Sequence, residues 1–134
     1  MSQLKELKET YLKEMDLLKE SCLMKMKELQ KDDKSDEANF EKIKANIYDI
    51  FITLFQGEVK KFNTEAELKD QDKYTLFCSN YLNRFDTVPK AWRMRLDYAD
   101  KNGLITEKVV EELKLETADI IKDIFMKASE RARA

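Results

Sequence analysis

The chain has 134 residues, 43% of them hydrophobic and 39% charged, with a net charge of −2 and no histidine. That size suits one domain with a sizeable core, and the balanced charge supplies no basic field to draw in nucleic acid or anionic lipid. The missing histidines exclude Ser–His and Cys–His catalysis, His-containing zinc sites and Glu-x-x-His di-iron bundles.

Two Gly and one Pro leave little turn chemistry for a sheet, while the abundant Leu, Lys, Glu, Met and Ala all favour helix. The composition predicts an all-α fold, a single domain over 1–134. Its expected form is a bundle of four to five helices with a long N-terminal helix.

The first predicted helix spans 2–34. Leu4, Leu7, Tyr11, Met15, Leu18, Cys22, Met26 and Leu29 recur in steps of three and four, which aligns them as one stripe. The steps repeat from Leu4 to Met15 to Met26, a longer period than a heptad, which disfavours a left-handed supercoil. Such a helix would be about 45–50 Å long, longer than a compact body of this chain length. Leu4, Leu7, Tyr11, Met15 and Leu18 are therefore the expected oligomer interface. The expected partner there is a second copy (dimer or higher), with another protein as the alternative.

A polar break, Lys31 to Glu37, leads into a second helix over 36–62, with Ser35 or Asp36 free to cap it. Phe40, Ile43, Ile47, Ile50, Phe51, Leu54 and Phe55 make its stripe the most apolar of the chain, so the core is expected to centre there. Gly57 weakens its end. Thr64-Glu-Ala-Glu67 has the spacing of a capping box and opens a helix over 65–86. That helix is amphipathic from Tyr74 through Phe77, Cys78, Tyr81 and Phe85. Asp86-Thr-Val-Pro89 restarts the chain as a short helix over 89–102, with Trp92, Leu96 and Ala99 on one side and Asn102-Gly103 as its stop. The last predicted helix, 106–129, opens at Thr106 with Ile105 and Val110 as a hydrophobic staple. Residues 129–134 are expected to fray.

Arg84, Lys90, Arg93 and Arg95 gather in sequence beside Phe85 and Trp92 around a helix start, a candidate patch for an anion or an acidic partner. Cys22 and Cys78 both fall on apolar stripes, where a thiol acts as a small hydrophobe, and two cysteines make no disulfide framework. The N-terminus is charged where a signal peptide is apolar, and the run Ile50–Phe55 is far too short to span a bilayer. A cytoplasmic location without a membrane partner is expected.

Three local patterns suggest other chemistry. Glu6-x-x-Glu9 and Glu116-x-x-Asp119 resemble the paired carboxylates of all-α nucleotide pyrophosphohydrolases, which implies a carboxylate-only, metal-dependent hydrolase. Over a hundred residues separate the two pairs, and both lie among many other acids. Asp100-Lys-Asn-Gly103 resembles part of a calcium loop, but that register puts Tyr98 and Val109 where oxygen ligands are required. Residues 98–124 resemble the opening of a helix-turn-helix unit, in which Leu113, Leu115 and Ile120 match the apolar pattern. That resemblance implies a nucleic-acid-binding regulator. It departs at Lys114, where the turn usually has Gly, at Val110, where a small residue is usual, and in the acidic would-be reading helix from Glu116 to Asp123.

The favoured reading is a non-enzymatic protein–protein interaction or self-assembly module, a small adaptor, structural or regulatory protein without catalytic residues, cofactor or metal. The nucleic-acid regulator is second, with nucleic acid not expected as a partner, and the metal-dependent hydrolase is third.

Overall fold

A computed structural model describes residues 2–63 and 69–133. Within them lie five helices: α1 (Gln3–Lys31), α2 (Ser35–Asn63), α3 (Asp70–Thr87), α4 (Lys90–Lys101) and α5 (Ile105–Arg133). No described residue is in a strand. The fold is an all-α bundle with a long N-terminal helix, and the capping box at residues 64–67 lies outside the described residues.

The helix ends follow from local backbone chemistry. Ser2 accepts from the Lys5 amide at 3.2 Å and caps α1. Asp33 takes a left-handed conformation (φ 58), which Asp tolerates better than most side chains. The Lys34 amide can then reach the Leu29 carbonyl at 2.9 Å, closing a Schellman turn into α2. Gly103 (φ 67) plays the same part after α4, and the Leu104 amide donates to the Ala99 carbonyl at 2.9 Å. Gly57 does not stop α2, which runs to Asn63.

α1, α2 and α5 are each 29 residues long. α1 and α2 form an antiparallel hairpin, tied on its surface by Lys19 to Asp49 at 2.8 Å. α3 and α4 behave as one broken rod running antiparallel to α5. Tyr74 meets Ser129, Tyr81 meets Phe125, Arg95 meets Glu111 and Asp100 meets Lys108, so the register is kept across the break. Pro89 makes the break because it has no amide to donate to the preceding turn. Both Val88 and Pro89 nevertheless stay in right-handed helical φ/ψ, so the chain bends there instead of turning back.

The core is aromatic. Tyr11, Phe55, Phe77, Tyr81 and Phe125 are fully buried and pack ring to ring, mostly edge to face, while the equally buried Phe51 stacks on Phe85. Tyr81 donates to the Phe51 carbonyl at 3.0 Å, which uses its only proton. Tyr11 must then be the donor in the 2.7 Å bond between the two hydroxyls. Desolvation raises both hydroxyls well above the ordinary tyrosine range.

Three expectations are corrected. Leu7, Tyr11 and Met15 are completely buried in the chain's own core, with Leu4 and Leu18 packed against it. The length argument for a second copy at this stripe lapses because α2 and α5 match α1 in length and cover it. Residues 129–133 do not fray. α5 stays helical to Arg133, Ala128 and Ala132 are buried, the Tyr74 hydroxyl donates to the Ser129 carbonyl at 2.7 Å, and the Arg133 guanidinium lies over the Tyr74 ring. Finally, Ile105 belongs to the first turn of α5 and is 76% exposed, so it makes no staple with Val110.

Candidate functional site

α5 is one unbroken helix through Leu113, Lys114 and Leu115. The turn that a helix-turn-helix unit requires between its two helices is therefore not formed at residues 98–124. The same segment instead places the end of α4, the Gly103 turn and the start of α5 as a tight hairpin.

That hairpin carries an open, largely apolar concavity. A groove of about 440 Å³ is lined by Met94, Arg95, Tyr98 and Ala99 of α4 and by Leu104, Thr106, Glu107, Val110 and Glu111. It arises from the bend at Pro89. α4 packs closely against α5 and makes no comparable approach to α1 or α2. Thr106 and Val110 continue the stripe that Leu113, Thr117 and Ile121 carry into the core. Leu113 already shares a cavity with Leu29 of α1 and Phe40 of α2, whereas the groove is walled by the α4–α5 hairpin alone. Met94 and Tyr98, one turn apart, stand 74% and 63% exposed on its lip.

The electrostatics of the groove are built around one buried carboxylate. Glu111 is 4% exposed and is held by Lys114 at 2.8 Å and by Arg95 at 3.6 Å. Arg95 reaches it from α4, so this pair ties the two walls together. On another side of the hairpin Lys108 and Asp100 pair at 2.9 Å. Their hydrogen bond holds the Asp100 carboxyl below its ordinary range and the Lys108 ammonium above its own.

The four cations grouped by sequence are drawn in different directions. Arg84 pairs with Glu58 of α2 at 3.1 Å, and that carboxylate is 4% exposed. Arg93 donates to the Asp86 carbonyl at 3.3 Å, folding back on the end of α3. Arg95 serves Glu111, and Lys90 is exposed at the start of α4. Three of the four are thus engaged within the chain, and their spacing in sequence reflects three separate internal contacts.

The paired carboxylates are not gathered either. Glu6 lies within electrostatic reach of Tyr74, whose hydroxyl bonds Ser129, whereas Asp119 is ten residues, about 15 Å, earlier on α5. Glu6, Glu9, Glu116 and Asp119 all face solvent. Among the described residues no three Cys, Asp or Glu side chains are placed to share a metal ion. Cys22 and Cys78 are buried as free thiols, and desolvation raises both above the ordinary thiol range, which disfavours the reactive thiolate. No described helix is long and apolar enough to cross a membrane.

Sequence reading missed the groove because it assigned α4 a single apolar side, Trp92, Leu96 and Ala99. The available signal was a second one: Met94 and Tyr98 repeat one turn apart on the opposite side of the same short helix. The buried glutamates 41, 58 and 111 were also missed, since each looks like an ordinary wet-face acid in sequence.

The chain matches no protein-family model, no curated protein and no solved structure.

Proposed function

We propose that this chain is a non-enzymatic, cytoplasmic protein–protein interaction module that receives the apolar face of an amphipathic helix in the α4–α5 groove. The observation that carries this reading is the exposure of Met94 and Tyr98 on the lip of an apolar concavity built by two helices. Exposed apolar clusters of this kind mark interaction surfaces. The helix-in-groove mode needs a shallow apolar channel and anchors one turn apart. Arg95 and Glu107 on its two walls favour a helix with flanking charges of both signs.

A phage-displayed library of amphipathic helices, selected on the intact chain, tests this. Binders are expected to lose affinity by at least ~30-fold, the loss typical of a hot-spot residue, when Tyr98→Glu or Met94→Glu replaces the wild type. They should be indifferent to Leu17→Glu, an equally exposed apolar position on α1. Binders that ignore both groove changes would refute the assignment.

A further inference from the structure

We infer that the outward face of α5 is a separate docking surface, for a basic amphipathic helix of a partner protein. It is turned away from the α4–α5 groove, and its case does not depend on the groove reading.

The face follows from helical geometry. Thr117, Ile121, Phe125, Ala128 and Ala132 point into the bundle and are buried. At about 100° per residue, Ile105, Val109, Glu112, Glu116, Asp119, Ile120 and Asp123 fall on the opposite side, within a sector of about 100°. All of them are exposed except Glu112, which is half-buried.

Two properties set it apart from an ordinary solvated face. Its charge is of one sign: Glu112 and Glu116, Glu116 and Asp119, and Asp119 and Asp123 are neighbours three or four residues apart, an arrangement that repels within the helix. The exposed face of α1 does the opposite, alternating Lys5, Glu9 and Lys13 at the same spacing. The cations nearby are engaged or lie to the side. Lys127 pairs with Asp123 at 3.0 Å, Lys108 with Asp100 at 2.9 Å and Lys114 with Glu111 at 2.8 Å, while Lys122 is half-buried at the edge. Glu112, Glu116 and Asp119 have no ion-pair partner among the described residues. The second property is that large apolar side chains are set among these acids. Ile120, 53% exposed, stands between Glu116 and Asp123, and Ile105 and Val109, one turn apart, extend the face toward the start of α5. A face kept only for solvation needs no isoleucine there.

The sign of the charge selects the occupant. An acidic face repels a second copy of itself, an anionic bilayer and nucleic acid alike. A helix with an apolar stripe flanked by Lys or Arg answers both properties. Its cations relieve a repulsion that the free chain bears, and its stripe covers Ile105, Val109 and Ile120. From Ile105 to Asp123 α5 rises about 27 Å, so the partner helix needs about five turns.

The probe is a synthetic helix of about 18 residues with one leucine face and one lysine face, titrated onto the full chain by calorimetry beside its leucine–glutamate counterpart. The lysine helix is expected to bind and the glutamate helix is not. Glu116→Lys/Asp119→Lys should weaken binding by at least ~10-fold and also raise the unfolding midpoint, because it removes the like-charge neighbours. Ile120→Glu separates docking from diffuse attraction. Docking requires weaker binding although the face gains a negative charge, whereas tighter binding would mean charge alone and overturn the inference. Tyr98→Ala should leave the affinity unchanged. A loss there without one at Glu116→Lys/Asp119→Lys would place the peptide in the groove, which sinks the α5 face and leaves the groove reading intact. A lysine helix that does not bind at about 500 µM also overturns the inference. So does a dimer in light scattering that Ile120→Glu abolishes, since a second copy would then be the occupant.

Discussion

The two halves of the broken fourth rod use similar residues to opposite ends. In α3, Tyr74, Phe77, Tyr81 and Phe85 all point inward and are almost completely buried against α1, α2 and α5. In α4, Trp92 and Ala99 are buried, while Met94 and Tyr98 stand open to solvent. Both halves keep the same antiparallel register with α5. The bend at Pro89 separates them by moving α4 away from α2. A helix buries as many faces as it has neighbours, so the aromatic stripe of α3 supports the fold while Met94 and Tyr98 of α4 are left uncovered.

This contrast is broken most severely at the aromatic centre. Phe77 and Phe85 of α3 are buried and share rings with Phe55, Phe51 and Tyr81. Truncating either to Ala is expected to cost about 3–5 kcal/mol in urea denaturation. Met94→Ala, in the α4 half, should stay within about 0.5 kcal/mol. If the two losses are comparable, the division of labour between the halves is wrong.

The Glu58–Arg84 pair gives the next largest effect. Glu58 is 4% exposed, and its Oε2 has no hydrogen-bond partner among the described residues. Removing the cation by Arg84→Met leaves a buried, uncompensated carboxylate and should cost about 2–4 kcal/mol. The partial exposure of the arginine holds the loss below the upper limit for buried pairs. The double variant Glu58→Leu/Arg84→Met should recover most of that loss, because no charge is then stranded. A strictly additive double-mutant cycle would rule out the pairing as the source of the effect.

Alkaline titration separates the halves by chemistry. Burial holds the Tyr11 and Tyr81 hydroxyls neutral and raises both above the ordinary value of about 10. Above that pH the unfolded chain releases protons that the folded chain retains. Their contribution to stability is therefore complete below about pH 10 and falls as pH rises further, by about 1.4 kcal/mol per pH unit for each tyrosine. Denaturant midpoints measured between about pH 9 and 11 should show this decline. Tyr81→Phe should lower stability at neutral pH by about 1–3 kcal/mol by leaving polar groups unpaired and should make the alkaline slope shallower. An unchanged slope would mean that water reaches the hydroxyls.

The smallest effect is the most specific. Tyr98→Ala should leave the unfolding midpoint within about 0.5 kcal/mol of wild type and act only on association. A large stability loss would show that Tyr98 belongs to the fold and not to a docking surface.

The sequence by itself determined what depends on neighbours a few residues apart. Steps of three and four residues locate the helices and their stripes, the residues just past α4 mark its stop at Gly103, and the composition requires an all-α fold. These features are legible because helical geometry and capping are local physics. The tertiary structure alone decided which stripe is covered by what. Leu7, Tyr11 and Met15 look surplus when α1 is measured against an average compact body, yet α2 and α5 are as long as α1 and bury them. Arg84, Arg93 and Arg95 look like one patch because they are close in sequence, yet each is drawn to a different internal partner. Leu113-Lys-Leu115 looks like a turn, yet the helix continues because contacts along both flanks reward continuity. Met94 and Tyr98 lie opposite the side of α4 that the sequence marks as apolar, and the bend at Pro89 leaves them open. Coverage depends on the length and direction of helices far away in the chain, and no local pattern encodes it.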